Sequence, residues 1–492
     1  MTSRKNERTL KYLIGVAGIF CLLPILACYQ DIWDGVHVYE AFRLQDMDIL
    51  KKWFLESRWT LQYYLYLLLG LLQDWTGISY KIFANILAAA SVVGVCAEVR
   101  RLLREELGIA EEYALLAVLV ILVFPPWATL MSSVLAFHIS CVWAFLLAVR
   151  FRAIHPVLAI PLFVYSLSLN SIFSFTVGYA VFCWIMMVDR ACFKRATGRV
   201  FAFSFILLTA FVLYRHFFPP YGVYAGYNHF TPRISAFLNY FGIAVGTLGI
   251  SYFLFGKKLD AEARVLLFRQ VVACLALLFF AGLAYWAVGK PVKVEGTNSF
   301  TPRHAYLTAI PMAMLLATMM QYGVQRLGRK IPYGIIGAVL LLSFFYQFAA
   351  YQQKYAQLYY ENALIATLKT TPPPAPGFVY ISSERKETPK YLRDIAAASN
   401  WHFLEAYGKK FWGAAFCTDG HNCDLPSSYR NGTLKYAVDR ELVSVSDLRV
   451  TRMNYSVENF DPFGNPLYYG YYFLKDYERL HPQLELVSVS KF

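Results

Sequence analysis

Charge is what this sequence has least of. Of its 492 residues, 16% are Asp, Glu, Lys or Arg, whereas 58% are hydrophobic and 17% aromatic, and the mean hydropathy is +0.42. Soluble domains carry about 25% charged residues, so a chain dissolved in water over its whole length is excluded. Glycine-rich phosphate loops and nucleophile elbows are lacking too, which removes P-loop nucleotide binding and elbow-type hydrolase chemistry. No internal repeat is recognisable, and this counts against a transporter or flippase built from paired broken helices around a midplane charge. Beyond Tyr351 no run is apolar for long enough to span a bilayer. Of the nine cysteines, seven lie in or beside apolar segments as small hydrophobes. Only Cys417 and Cys423, in FCTDGHNCDL, are placed to bridge a short loop in an oxidising compartment or, with His421, to ligate zinc.

What is present is a series of runs of roughly 20 apolar residues, the length that crosses a ~30 Å hydrocarbon layer. The formal charge of +14 raises the question of nucleic acid, but its placement answers it. Basic residues gather at Arg4/Lys5/Arg8/Lys11, Arg100/Arg101/Arg104, Arg150/Arg152, Arg190/Lys194/Arg195/Arg199, Lys257/Lys258/Arg264 and Arg326/Arg329/Lys330, at every second loop. That is the positive-inside pattern of a multi-pass cytoplasmic-membrane protein with its N-terminus in the cytoplasm, and no nucleic acid is expected as a partner. Spans are predicted at 11–29, 79–98, 112–131, 134–151, 154–169, 172–188, 199–217, 235–255, 265–288, 304–322 and 333–351, about eleven transmembrane helices. LQYYLYLLLGLLQD at 60–73 is too short to cross and is predicted as a re-entrant or interfacial helix at the outer face. The expected fold class is therefore a polytopic α-helical membrane domain over 1–351, followed by a soluble extracytoplasmic α/β or α+β domain over 352–492. In the latter, GFVYISS at 377–383 reads as a strand and TPKYLRDIAAASNWHFLEAYGKK as a helix.

Between the first two spans lies the external loop 30–59, QDIWDGVHVYEAFRLQDMDILKKWFLESRW. From Val38 onward it reads as an amphipathic helix with Phe42, Met47, Leu50, Trp53 and Phe54 available for an apolar face, so most of its charges face water. Asp31 and Asp34 precede that helix at the membrane exit, beside Trp33, and an ionisable group there points to function. The alternative for Asp34 is a helix cap. Two later external segments share Phe-Thr-Pro-Arg, ending at Arg233 and Arg303. Thr-Pro suits a helix start, but a cation there opposes the macrodipole, and a bound anion would resolve the conflict. His138 and Asn170 lie near the outer ends of their spans, where they either face a cavity or hydrogen-bond within the bundle.

Acids and cations on one face match transfer of a sugar from a lipid phosphate. A carboxylate takes the acceptor's proton, cations hold the phosphate leaving group, and attack from the opposite side inverts the anomeric centre. Asp31 or Asp34 is the candidate base. The candidate substrate contacts are Trp33, Glu40, Arg58, Arg233, Lys293, Arg303, His304 and Tyr306.

The early aspartate, the acidic loop, WTLQYYLYLLLGLLQDWTGISYKIFANILAAASVVGVCAEVRRLL and the later PRHAYLTAIPMAMLLA together resemble the GT-C superfamily of membrane glycosyltransferases. The layout is similar to protein O-mannosyltransferases and lipid A aminoarabinose transferases. Trp53 with Ser57-Arg58-Trp59 looks like the phage-type serotype-converting glucosyltransferases. The resemblance implies Asp31 or Asp34 as base, Arg303 on the lipid phosphate and Arg58 on donor or acceptor. It also implies a polyprenyl-phosphate sugar as donor and a surface polysaccharide, lipid or protein as acceptor. The side-by-side Asp-Glu pair of the mannosyltransferases is replaced here by Asp31-Ile-Trp-Asp34. No cofactor is expected; the alternative is a divalent cation held by Asp31, Asp34 and Glu40. The competing enzyme class is an O-antigen polymerase or ligase, whose bulky external portion lies between spans instead of after the last one.

Overall fold

The computed structural model describes residues 2–152, 154–187, 193–221, 230–232, 242, 246, 249, 260–290, 292, 301–373, 378–383, 396–408, 413–418, 435–438, 441–444, 450–457, 460 and 467–488. Two compact units emerge. The first comprises Met1–Tyr29, Asp48–Gly296 and Phe300–Phe348; the second comprises Gln30–Met47, Thr297–Ser299 and Ala349–Phe492.

Unit 1 is a helical bundle. Its helices are α1 (Thr2–Leu26), α3 (Met47–Glu56), α4 (Thr60–Thr76), α5 (Tyr80–Glu105), α6 (Glu111–Leu122), α7 (Ser133–Phe151), α8 (Pro156–Ser166), α9 (Ser171–Met187), α10 (Phe193–Phe217), α11 (Ala261–Ala287), α12 (Ala309–Leu327) and the first half of α13 (Lys330–Thr370). Among the described residues seven helices are long and apolar enough to cross a membrane, or eight if α6 and the 3-10 turn Pro125–Met131, bent at 49°, form one span. The protein is a polytopic helical membrane protein. Outward-facing Tyr12, Ile19, Phe20, Phe201, Phe205 and Ile206 would be costly in water and are at home against hydrocarbon. α8 and α9 are shorter apolar helices, and the predicted span 235–255 falls almost wholly outside the described residues.

Hydrogen bonds and ion pairs tie the helices together at both ends of the bundle. At one end Glu98 of α5 accepts from Arg101 at 2.8 Å and from Arg150 of α7 at 3.0 Å. Glu111 at the start of α6 takes Arg100 and Arg104, and Glu112 takes Asn6 of α1, Tyr333 of α13 and Arg329. Among the described residues, Arg100, Arg101, Arg104, Arg150, Arg152 and Arg329 of the basic clusters found in the sequence all make their ion pairs at this end. At the far end, Lys81 of α5 donates to Met131 O just before α7, and Asn85 donates to Cys28 O just after α1. Both ends of α4 are tied there: Gln62 donates to Val134 O, and Gln73 accepts from the Tyr80 N–H.

Small residues set how closely the helices approach. A Cβ on Gly94 of α5 would run into the Trp143 ring of α7, and one on Gly178 of α9 into Phe280 of α11. Arg269 of α11 spends its guanidinium on the Ile185 and Met186 carbonyls at the end of α9, a structural role.

Unit 2 combines α2 (Gly35–Leu44), the rest of α13, α14 (Ala396–Tyr407) and α15 (Tyr468–Leu474) with six strands. β1 (Phe378–Ser383) pairs in parallel with both β2 (Gly413–Thr418) and β5 (Val450–Ser456), and β6 (Gln483–Ser488) is antiparallel to β5, giving the order β2-β1-β5-β6. β3 (Lys435–Val438) and β4 (Glu441–Ser444) form a separate hairpin. Parallel pairing requires crossovers, and α14, packed on β2, lies in one of them. The core is aromatic, with Tyr359, Tyr360, Trp401, Phe403, Tyr455 and Tyr468 buried together with Val36 of α2. The predicted bridge of Cys417 and Cys423 lies outside what can be described, since Cys423 is not among the described residues.

The amphipathic segment after Val38 is not one helix. α2 ends where Gln45 turns left-handed and its N–H closes on the Ala41 and Phe42 carbonyls, and α3 starts at Met47. Left-handed backbone relieves the last helical carbonyls and stops propagation. Val38, Leu50 and Phe54 are buried as their spacing predicts, yet Glu40 and Glu56 are buried as well.

Candidate functional site

The most developed polar site of unit 1 lies at the far end, where Lys290, Arg303 and His138 come from three distant stretches of chain. Arg303 sits in the 3-10 stretch Thr301–Thr308, and α12 starts only at Ala309. This corrects the expectation that Arg303 lies just inside an α-helix; the macrodipole conflict does not arise in that form. The 3-10 stretch buries His304 and Tyr306, which follow half-buried Arg303. The His304 ring lies 4.6 Å from Tyr285 of α11, and the Tyr306 hydroxyl hydrogen-bonds to Thr129 with its ring 5.2 Å from Trp127.

Lys290 follows α11 through a turn closed by left-handed Gly289, its own N–H donating to Tyr285 O at 2.9 Å. Arg303 is near enough to act on it electrostatically, and both act on His138 of α7. Burial, and behind it the Arg303 guanidinium, push the Lys290 ammonium down to about 8. The Nε2 of His138 is shielded from solvent without a hydrogen-bond partner, and the ring meets Trp59 edge-on at 5.6 Å. Two cations and a half-buried imidazole with a shielded Nε2, lined by tyrosines, form a place where a bound anion lowers the electrostatic cost.

Arg58 takes a different role from the rest. It is left-handed at φ 65°, donates from Nε to Pro219 O at 2.9 Å and covers the Tyr221 ring at 4.9 Å, so it pins the segment after α10. Lys81 and Asn85 are fully buried at the start of α5, bonded to one another at 2.8 Å. Arg233 and Lys293 lie outside the described residues.

In unit 2 the acidic candidates start α2. Asp31 is buried, its Oδ1 accepting from the Ile32 N–H at 3.1 Å and its carboxylate resting on the Gly35 backbone. Asp34 holds the N-cap position but makes no side-chain cap bond, so its carboxylate is not committed to the helix start. Between them Trp33 is left-handed at φ 54°, a conformation uncommon for a bulky residue, and packs against the aromatic core. Glu40 is buried 3.7 Å from His37 Nδ1. Among the described residues no three His, Cys, Asp or Glu side chains are grouped to hold a metal.

The sequence pattern marked Arg303, His304 and Tyr306 but passed over Lys290 and Lys81. The signal for Lys290 was its position in a polar loop between two spans, three residues before the Lys293 that was chosen. Lys81 carried none, because a lysine at a helix start reads as an interfacial anchor. The chain matches no family model, no curated protein and no solved structure.

Proposed function

We propose that the protein is an inverting glycosyltransferase of the GT-C type. It moves a sugar from a polyprenyl-phosphate donor to a polysaccharide, lipid or protein acceptor on the outer face of the cytoplasmic membrane. The observation that carries this reading is the Lys290–Arg303 pair at the end of unit 1 opposite the arginine–glutamate network. Under the positive-inside rule that network faces the cytoplasm, which puts the pair outside.

In this reaction Lys290 and Arg303 hold the donor phosphate and stabilise the charge that grows as the C1–O bond breaks. The acceptor oxygen bonds to C1 from the other face and gives its proton to a carboxylate, Asp31 or Asp34. The leaving group is the polyprenyl phosphate, and the anomeric configuration inverts. His304 and Tyr306 position the Arg303 stretch through Tyr285 and Thr129.

The test uses purified protein with a short-chain polyprenyl-phosphate sugar and a panel of acceptors. Wild type is compared with Asp31→Asn, Asp34→Asn, the double variant and Arg303→Ala. Donor consumption lost in the double variant and at least tenfold slower in Arg303→Ala is the expected result. No consumption by wild type, or full consumption by the double variant, sinks the proposal.

A further inference from the structure

Helices α7, α8, α9 and α10 line an open cavity of about 820 Å³ on the ion-paired side of unit 1. It forms because α8 is only 11 residues long, about 16 Å, and leaves the flank between its longer neighbours uncovered. Phe145, Ile160, Phe163 and Phe203 make its wall apolar. Two guanidiniums, Arg152 and Arg199, also line it. Arg152 is steadied 3.8 Å from Glu106 and 5.5 Å over the Tyr179 ring, yet 46% of its side chain remains exposed. Arg199 is exposed near the start of α10, where Thr197 accepts from Trp184 Nε1 at 3.0 Å and ties α10 to α9. With Glu106 offsetting one cation, the cavity keeps a net positive charge.

We infer that this cavity is a binding site for an anionic glycerophospholipid, its acyl chains against the phenylalanines and its phosphate against Arg152 and Arg199. The volume lies within the ~300–1,000 Å³ of small-molecule sites, and an apolar interior under a cationic edge is complementary to a charged headgroup on hydrocarbon chains. The proposed sugar donor does not explain it. Arg152 follows His138 along α7 by about 21 Å of helix, so a phosphate near Arg303 is held at the other end of the bundle. The site would recruit a resident lipid between loosely packed α8 and α10, and it stands whether or not the transferase reading does.

The experiment is native mass spectrometry of delipidated protein given equal amounts of phosphatidylglycerol, phosphatidylcholine and a polyprenyl phosphate. Wild type, Arg152→Gln, Arg199→Gln and Ala180→Trp, which fills the cavity, are compared. Thermal melts identify any variant that has not folded, and Arg199→Gln, at an exposed position, serves if the others fail. Preferential retention of phosphatidylglycerol by wild type, reduced at least tenfold in the folded variants, is expected. Equal retention of phosphatidylcholine, preference for the polyprenyl phosphate, or undiminished retention in the folded variants overturns the inference.

Discussion

The carboxylate of Asp31 lies so close over the α-carbon of Gly35 that any side chain at residue 35 would overlap it. All three of the nearest atoms belong to Asp31, so a methyl group there displaces the candidate base before anything else. Gly35→Ala should lower transferase turnover at least tenfold, at an overpacking cost of about 1–3 kcal/mol. Donor-consumption kinetics alongside a thermal melt check it. Turnover equal to wild type would show that the position of Asp31 is irrelevant to the chemistry.

Lys290 gives a pH signature. Its folded pKa is lowered to about 8 from the ordinary 10.5, so as pH rises past 8 the folded protein loses a cation that the unfolded chain keeps. Between about 8 and 10.5 the unfolded chain binds more protons, and the stability contribution of this group rises with pH. Phosphate holding runs the other way: KM for the donor should climb several-fold above pH 8. Arg303 stays charged throughout, and His138, Tyr285 and His304 are the neighbouring titratable groups. Lys290→Arg keeps a cation at every accessible pH and should flatten that limb of the KM profile.

Glu98 should be worth far more than its neighbour Glu105. It is buried and accepts from both Arg101 and Arg150, whereas the Glu105 side chain is 63% exposed. Removing the charge of Glu98 takes the carboxylate from Arg150 and leaves Arg101 with Glu105, and Glu98→Gln should cost about 1.5–3 kcal/mol. Glu105→Gln should cost less than about 1 kcal/mol. Melting curves of the two variants in one detergent decide it, and equal shifts would contradict the structure.

The α5–α7 contact depends on Gly94. Its missing Cβ makes room for the Trp143 ring, so Gly94→Ala should destabilise the bundle by about 1–3 kcal/mol through forced repacking. Gly94→Ala combined with Trp143→Leu should recover part of the loss, read again by thermal melt.

Much of unit 1 was legible because burial in hydrocarbon is a local requirement. Every residue of a span must be apolar or satisfied, so a window of sequence reveals it, as at 79–98 for α5 and 134–151 for α7. The strand at 377–383 was legible from its short run of Phe, Val, Tyr and Ile, and it is β1 (Phe378–Ser383). The break at Gln45 did not, since no glycine or proline marks it and the apolar spacing runs through both helices. The burial of Glu40 was equally hidden, because its partner His37 sits on the same helix and the pair reads from sequence as a solvated face.

By itself the sequence determined that the chain crosses a membrane many times, that its basic clusters mark one side, and that a mixed strand–helix segment follows. These are sums of local free energies, of apolar transfer and of charge near a headgroup, and need no knowledge of neighbours. Only tertiary structure decided which polar groups meet. His138, Lys290 and Arg303 belong to α7, the turn after α11 and the 3-10 stretch before α12, and no spacing rule connects them. Packing of those elements at the end of the bundle brings their charges into range, and Coulomb energy depends on distance in space and on burial, neither of which sequence order fixes.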